Sequence, residues 1–111
     1  MIKRGEVYWV GMDPALGAEI KKTRPGIIVS NDVNNVHAPT VTVIPLTTSV
    51  HRVYPFEVLL APKLFGNKSA CKAKTDQVRT VDKRRLGAPL GLLPRNVMAQ
   101  IEQALRRQLG L

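Results

Sequence analysis

The chain has 111 residues, of which 44% are hydrophobic, so its composition suits one domain with a packed core and excludes an intrinsically disordered chain. Its 17 Lys and Arg against 8 Asp and Glu give a formal net charge of +9, which is compatible with a nucleic acid partner, an acidic protein partner or a surface charged for solubility. Cys71 is the only cysteine, which excludes an intrachain disulfide and a metal site built from several thiolates.

The first half of the chain predicts three strands, because β-branched and aromatic residues form short runs bounded by turn formers. These strands are Glu6–Gly11, Gly26–Ser30 and Thr40–Leu46. Met12–Thr23 has no sustained period and is expected to be a surface loop. Asn31–Pro39 is expected to be a second loop, since Asn and Asp side chains favour turns. Pro45 cannot donate to a β-ladder and indicates a sheet edge or a strand end.

The second half predicts shorter strands and one helix. The strands are Tyr54–Leu60, Ser69–Ala73 and Gln77–Val81. Pro94 suits the first turn of a helix, and Gly110 suits its end. The apolar residues between them recur at helical spacing and are Val97, Ile101, Ala104, Leu105 and Leu109. Short strands with gaps too short for crossover helices predict a mainly β fold, a small antiparallel barrel or sandwich closed by a C-terminal helix.

Familiar signatures of catalysis, cofactor binding and export are missing. The sequence has no Gly-rich phosphate loop, no HExxH or GxSxG motif and no paired Cys or His at ligand spacing, so we expect neither a metal nor a nucleotide cofactor. His37 and His51 lie in polar loops, and nothing in their spacing brings them together as an acid–base pair. Without a long apolar run or a signal-peptide pattern, we expect a cytoplasmic protein without a membrane partner.

Two polar loops carry the residues best suited to hold a phosphate. Arginine offers a planar fork of donors for phosphate oxygens, and a nearby hydroxyl adds another. The simpler interpretation, which the residue types alone favour, is an exposed and salt-bridged loop without a binding role. The residues concerned are Glu19, Lys21, Lys22 and Arg24 after the first strand, and Thr47, Thr48 and Ser49 after the third.

Several ordered motifs resemble those of the MazF/PemK toxins. The chain has RGEVYWV at 4–10, followed at 17–30 by GAEIKKTRPGIIVS, which is similar to the family's loop ending in Arg-Pro and its buried strand. VIPLTTS at 43–49 resembles the strand ending in Pro-x-Thr, and DQVRTVDK at 76–83 resembles the Asp-Gln-x-Arg-Thr-x-Asp run. YPFEV at 54–58 and the closing helix are also similar, so the resemblance spans essentially the whole chain.

The resemblance implies an SH3-like barrel that forms a homodimer, with single-stranded RNA in the groove across the subunit interface. It implies the toxin of a type II toxin–antitoxin system, which cuts mRNA at a short recognition sequence without metal, leaves a 2′,3′-cyclic phosphate and a 5′-OH, and so inhibits translation. It also implies a cognate MazE-like antitoxin whose acidic, partly disordered tail covers the RNA groove. The net positive charge makes such a partner physically reasonable.

Carried over residue by residue, the resemblance implies Arg24 and Thr47 as the principal catalytic residues, with Glu19 as a third. RNA contains its own nucleophile, so the protein must align the 2′-OH with the phosphorus and stabilise an anionic phosphorane. Arg24 suits that charge and possible protonation of the leaving group, Thr47 suits a phosphoryl oxygen, and Glu19 suits either a base or a group that orients Arg24. Some family members carry a His in the first loop, but this chain has Ala18 and Thr23 there, so a mechanism through that histidine is not expected.

The remaining polar loop residues are predicted to guide the RNA strand. Trp9 and Phe56 fall inside strand patterns and are predicted to be core residues. The basic run Lys83–Arg85 is interpreted first as a solvated turn. The predicted RNA-binding residues are Lys21, Lys22, Thr48, Ser49, Arg52, Lys72, Lys74, Asp76, Gln77 and Arg79.

Two alternatives from other classes stay open. One is a CcdB-like toxin, which traps gyrase and does not cut RNA. The other is a basic RNA-binding module with a degenerate site. Arg24 and Thr47 in their motifs favour the nuclease.

Overall fold

The protein, described over all 111 residues by a computed structural model, contains seven β-strands and two α-helices. The strands are β1 (Glu6–Gly11), β2 (Thr23–Ile28), β3 (Thr40–Thr47), β4 (Glu57–Leu60), β5 (Cys71–Lys74), β6 (Arg79–Asp82) and β7 (Leu86–Leu92). The helices are α1 (Asp32–His37) and α2 (Arg95–Leu109), and single 3₁₀ turns lie at Thr75–Gln77 and Lys83–Arg85.

The seven strands form one sheet in which every pair is antiparallel. The strand order is β4-β5-β3-β2-β1-β7, and β6 pairs with β3 off this path. The prediction of a mainly β fold with a C-terminal helix is confirmed. Hydrogen bonding does not close the sheet into a barrel, because the edge strands β4 and β7 do not pair with each other.

Apolar side chains pack against both faces of the sheet. The larger core lies between the sheet and α2 and includes Val7, Ile27 and Ile101. The smaller core lies on the opposite face and includes Val10 and Ile28. Because successive side chains of a strand point to opposite faces, β1 and β2 contribute to both cores.

The helix α2 follows Pro94 and ends at Gly110. Gly110 adopts a left-handed φ of 70°, and its N–H donates to the Arg106 carbonyl, which terminates the helix. Leu109 is exposed and does not join the predicted apolar stripe. Neither helix is long and apolar enough to cross a lipid bilayer. The side chains of α2 that pack in the larger core are Val97, Met98, Ile101 and Ala104, with Leu105 half-buried against it.

The prediction of a loop at Asn31–Pro39 was wrong, because α1 lies within it. The Asn31 side chain accepts a hydrogen bond of 2.8 Å from the Asn34 N–H and caps the helix. Asn is favoured both in turns and at helix N-caps, so the same residue type suits either structure. The buried Asn35 side chain then ties α1 to the Ser30 carbonyl at 2.9 Å.

The strand β7 was not predicted, because its sequence LGAPLGL contains two glycines and a proline. Close packing explains the glycines. A Cβ at Gly91 would lie 2.6 Å from the Phe65 carbonyl oxygen, and one at Gly87 would lie 3.2 Å from the Trp9 Cβ. Pairing with β1 therefore outweighs the low β propensity of these residues.

Pro45 does not mark a sheet edge, because β3 is central and has neighbours on both sides. The Thr42 carbonyl accepts from the Val29 N–H and so points towards β2. Because the backbone groups of successive residues point to alternate sides of a strand, the nitrogen of Pro45, three residues later, points away from β2. There, pairing with β6 ends at Val43 and pairing with β5 begins at Leu46. The missing N–H of Pro45 falls in the gap between these two partners.

Candidate active site

The pairing of β2 with β3 brings Arg24 and Thr47 to one place. Ile28 lies opposite Val43, and continuing this register to the ends of both strands places Arg24 opposite Thr47. Each of the two lies four residues from a member of the smaller core, so alternation directs both side chains to that face of the sheet. Two loops flank this position, the first loop (residues 12–22) and the second loop (residues 48–56).

Both side chains keep donors free for a ligand. The half-buried Arg24 guanidinium forms no ion pair, and its one hydrogen bond runs from Nε to the Lys21 carbonyl at 3.3 Å. Thr47 Oγ1 accepts from the Ser49 N–H at 3.2 Å, which leaves the hydroxyl proton available. A fork of N–H donors beside a free hydroxyl suits a phosphate group.

The first loop is held by the side-chain amide of Gln77. Its Nε2 donates to the Ala18 carbonyl, its Oε1 accepts from the Ile20 N–H, and both distances are 3.3 Å. Glu19 lies between the two bonded residues, so the amide fixes the backbone on both sides of it. The Glu19 carboxylate accepts from the Leu16 N–H at 2.6 Å and makes no hydrogen bond or ion pair with Arg24.

Two arginines hold the start of the same loop. Arg79 Nη1 donates to the Met12 carbonyl at 3.1 Å, and Arg85 Nη1 donates to the carbonyls of Gly11 and Asp13. Arg79 therefore uses part of its guanidinium within the protein, although it was predicted to bind RNA. The basic run Lys83–Arg85 was interpreted as a solvated turn. This is correct for Arg84, which is exposed and paired with Asp82. It is not correct for Arg85, whose guanidinium donates to two carbonyls of the protein.

A surface cavity of about 400 Å³ joins the first loop to the DQVRTVDK motif at 76–83. Local sequence patterns do not reveal that these two segments are close in space, because they are more than fifty residues apart in the chain. Its lining residues are Leu16, Ala18, Glu19, Asp76, Gln77, Val78 and Arg79. The structure thus gathers Glu19 with three of the predicted RNA-binding residues, and the lining of this cavity does not include Arg24 or Thr47.

A buried ion cluster lies beside Thr47. Lys72, the cross-strand partner of Thr47, donates from Nζ to Glu57 Oε1 at 3.0 Å and to the Arg52 carbonyl at 2.6 Å. Lys74 Nζ reaches Glu57 Oε2 at 3.3 Å. The prediction that Lys72 tracks phosphates was wrong, because its side chain is only 9% exposed and is bonded inside the protein.

The cluster favours the ionised form of Glu57. Burial raises the pKa of this carboxyl, but a hydrogen bond from the Tyr54 N–H and the two ammonium groups of Lys72 and Lys74 outweigh burial and hold the pKa below its ordinary value. Because Glu57 accepts from Tyr54 and its partner Lys72 donates to the Arg52 carbonyl, the cluster also fastens the second loop to the sheet.

The remaining predicted RNA-binding residues lie in or near the two loops that flank Arg24 and Thr47. Lys21 and Lys22 are exposed in the first loop, and Asp76 lies 4.0 Å from Lys74 Nζ. In the second loop, Arg52 donates to the Tyr54 hydroxyl at 3.2 Å, and Ser49 Oγ lies 3.3 Å from His51 Nδ1. His37 ends α1, and no bond joins it to His51.

Trp9 lies on the larger-core face of the sheet, and Thr48, the first residue of the second loop, borders the same cleft as Trp9. The prediction that Trp9 is a core residue was wrong, because it is 40% exposed within β1, where the pairing with β7 is irregular between Tyr8 and Val10. Alternation along a strand predicts on which face of the sheet a side chain lies, but not how deeply it is buried. The Trp9 side chain lies on the larger-core face, at the rim of that core. Phe56 is half-buried and stacks on Tyr54 with ring centroids 5.6 Å apart.

A Gln77→Ala variant should loosen the first loop without unfolding the protein. The loss of both Gln77 hydrogen bonds, about 1 kcal/mol each, should speed hydrogen exchange at the Ile20 amide by about 30-fold. NMR-detected exchange measures this directly. The Val29 amide, which donates to the Thr42 carbonyl, provides an internal control that should not change. Unchanged exchange at Ile20 would show that Gln77 does not hold the loop.

Comparison with protein families assigns the chain. Residues 3–109 match the family described as PemK-like, MazF-like toxin of type II toxin–antitoxin system. The chain belongs to this toxin family. Over its whole length, this MazF-like toxin is 39% identical to Endoribonuclease MazF9 of Mycobacterium tuberculosis (strain ATCC 25618 / H37Rv), of which it covers 98%. The resemblance found in the sequence motifs is thereby confirmed.

Solved structures agree with this assignment. An endoribonuclease in complex with its cognate antitoxin from a mycobacterial species is 30% identical to the toxin, with a TM-score of 0.83 over 100% of this chain and 97% of the other. MazF (form I) from Deinococcus radiodurans is 28% identical, with a TM-score of 0.86 over 99% of this chain and 97% of the other. The open sheet with one closing helix is therefore the fold of the MazF toxins.

Proposed function

We propose that this MazF-like toxin is a single-domain endoribonuclease that cuts single-stranded RNA, above all mRNA, at a short recognition sequence and so inhibits translation. The observation that carries the proposal is the placement of Arg24 opposite Thr47 on one face of the sheet, with donors of both side chains free. Relatives named endoribonucleases, at 39% and 34% identity over the whole chain, support the same activity.

The proposed reaction is an internal transesterification. The 2′-oxygen of the ribose attacks the adjacent phosphorus, the bond from phosphorus to the 5′-oxygen breaks, and the products are a 2′,3′-cyclic phosphate and a 5′-OH. Arg24 stabilises the anionic phosphorane and Thr47 holds a phosphoryl oxygen, because both donate where negative charge develops. Glu19 receives the proton of the 2′-OH, since it has no bond to Arg24 that would support an orienting role. The leaving 5′-oxygen takes up a proton from solvent water or from the Arg24 guanidinium.

The other predicted residues supply the path of the RNA. The exposed Lys21 and Lys22 attract phosphates from the first loop, while Asp76, Gln77 and Arg79 face the cavity beside Glu19. Lys74, whose Nζ lies 3.3 Å from Glu57 and 4.0 Å from Asp76, contributes positive charge beside Asp76. The remaining polar donors of this path lie in the second loop and are Thr48, Ser49 and Arg52.

We further propose a cytoplasmic homodimer that a MazE-like antitoxin inhibits. The family assignment and the net charge of +9 support an acidic antitoxin, and a related endoribonuclease was solved with its cognate antitoxin. Residues of both subunits would then border each RNA groove.

Cutting a long single-stranded RNA in the presence of EDTA tests the activity. Discrete fragments that end in a cyclic phosphate are expected, because the proposed residues need no metal. Intact RNA with retarded mobility would indicate a binding module instead. Intact and unbound RNA, together with gyrase inhibition, would indicate a CcdB-like toxin.

A further inference from the structure

A cleft on the larger-core face has no role in the proposed catalysis. Its volume is about 310 Å³, and its walls combine the exposed Trp9 with other apolar side chains. The rim carries the Thr48 and Ser69 hydroxyls and the Lys68 ammonium group, and none of these three side chains makes a hydrogen bond or ion pair within the protein. The apolar walls are formed by Trp9, Pro25, Phe65 and Leu90, with Cys71 at the base.

The loop that forms one wall of the cleft is held in place. The Asn67 side chain donates to the carbonyls of Ala61 and Ser69 and accepts from the Phe65 N–H, at 2.9, 2.9 and 3.1 Å. The Phe65 carbonyl packs so closely on Gly91 of β7 that no side chain fits there. The cleft is therefore formed before any ligand binds, which lowers the ordering cost of binding.

The cleft adjoins the proposed catalytic pair. Pro25 and Thr48 line it, and they directly follow Arg24 and Thr47 in the chain. Consecutive Cα atoms lie about 3.8 Å apart, so the backbone that borders the cleft is continuous with the backbone that carries the catalytic pair. Alternation along β2 turns Arg24 and Pro25 to opposite faces of the sheet, and Thr48 directly follows the end of β3.

We propose that this cleft binds one unpaired base of the RNA, next to the scissile phosphate, and contributes to the choice of cleavage sequence. This inference rests on the proposed function. Trp9 supplies a stacking surface, and the free hydroxyls and ammonium group on the rim face the base edge. An apolar side chain of the antitoxin would leave those polar groups without partners, so an RNA base fits the cleft better.

Trp9 is the only tryptophan of the chain, so its fluorescence reports on this cleft alone. The probe is a mixed-sequence 2′-O-methyl RNA, in which the capped 2′-oxygen prevents cleavage. We expect this RNA to quench Trp9 emission. The quenching should depend on concentration in the same way as RNA binding that is measured by the fluorescence anisotropy of a labelled RNA. RNA binding without any change in Trp9 emission would overturn the proposal. A change in Trp9 emission that an acidic, leucine-rich peptide causes and RNA does not would also overturn the proposal. It would indicate that the cleft binds a protein partner.

Substitution of Trp9 tests the effect on cleavage sequence. Trp9→Ala should slow cleavage at the preferred sequence by about tenfold, the scale of one lost stacking contact, and should relax the base preference at one position beside the cut. Trp9→Phe should retain most of both. Ser69→Leu, which fills the cleft from its rim, should reproduce the Trp9→Ala pattern without removing core contacts. Leu92→Ala is the matched control, because Leu92 is also exposed and lies outside the cleft.

These outcomes separate the two proposals. If the unsubstituted protein does not cut RNA, the proposed function fails. If it cuts RNA, and both Trp9→Ala and Ser69→Leu give the same fragment ends at the same rates, the cleft has no part in RNA recognition and only the present inference fails. Circular dichroism of each variant verifies that it is folded before its cleavage is compared.

Discussion

An Arg24→Ala variant should cut RNA about 100-fold more slowly than the unsubstituted protein, or more slowly still, while its fold is retained. This is the usual scale for removing one preorganised donor from a developing anion. Arg24 forms no ion pair, and its only hydrogen bond is to the nearby Lys21 carbonyl, so its removal leaves no charge unpaired. Single-turnover cleavage of a labelled RNA measures the rate, and chemical unfolding measures the stability.

Two further variants identify the reason for the loss. Arg24→Lys keeps the positive charge but lacks the planar fork, so it should recover only a small part of the rate. Arg95→Ala removes one positive charge from an exposed position at the start of α2 and should cut RNA at nearly the original rate. Near-original cleavage by Arg24→Ala would remove this residue from the mechanism. An equal loss in Arg95→Ala would show that net charge, and not local geometry, determines the rate.

The main features of the fold followed from local patterns in the sequence. The strand β1 has the predicted bounds Glu6–Gly11, and β3 extends the predicted strand only to Thr47. Hydrophobic alternation and helical spacing depend on neighbouring residues, so they can be interpreted without knowing the tertiary structure. In contrast, β7 depends on close packing against β1 and against the Phe65 carbonyl, which no local pattern expresses.

The residues of the candidate site that belong to sequence motifs could be predicted. The contacts between segments that are distant in the chain could not. Arg24 precedes Pro25 and Thr47 ends a Pro-x-Thr element, and antiparallel pairing of the strands then brings the two residues together. The bonds from Gln77 and Arg79 to the first loop join residues more than fifty positions apart. Both residue types suit RNA binding as well as loop anchoring, so only the three-dimensional contacts distinguish these roles.

The buried ion cluster predicts the largest effect on stability. Glu57→Gln removes the carboxylate while both lysines remain, and Lys72 is then a buried cation without its partner. Breaking a buried ion pair from one side typically destabilises a protein by about 3–5 kcal/mol, which is a large part of the usual 5–15 kcal/mol. Urea unfolding followed by Trp9 fluorescence measures the change. The second loop should also loosen, because Glu57 accepts from the Tyr54 N–H and Lys72 donates to the Arg52 carbonyl.

Glu102→Gln is the matched control for Glu57→Gln. It makes the same chemical change in the Arg4–Glu102 ion pair, whose carboxylate side chain is 46% exposed. Exposed pairs contribute at most about 1 kcal/mol, so this variant should unfold at nearly the original urea concentration. Adding Lys72→Met to Glu57→Gln should recover part of the lost stability, since it removes the unpaired buried charge. Equal losses in the two single variants would contradict the assignment of the cluster as buried.

The dependence on pH provides a test of the charge itself. Because the pKa of Glu57 is lower in the folded protein than its ordinary value of 4.5, its ionisation stabilises the fold fully above that value. That contribution disappears as the pH falls through the lower folded pKa. The stability difference between the unsubstituted protein and Glu57→Gln should therefore be constant near neutral pH and should shrink below pH 4.5. A difference that stays the same down to the acid transition would show that Glu57 acts through its shape and hydrogen bonds, and not through its negative charge.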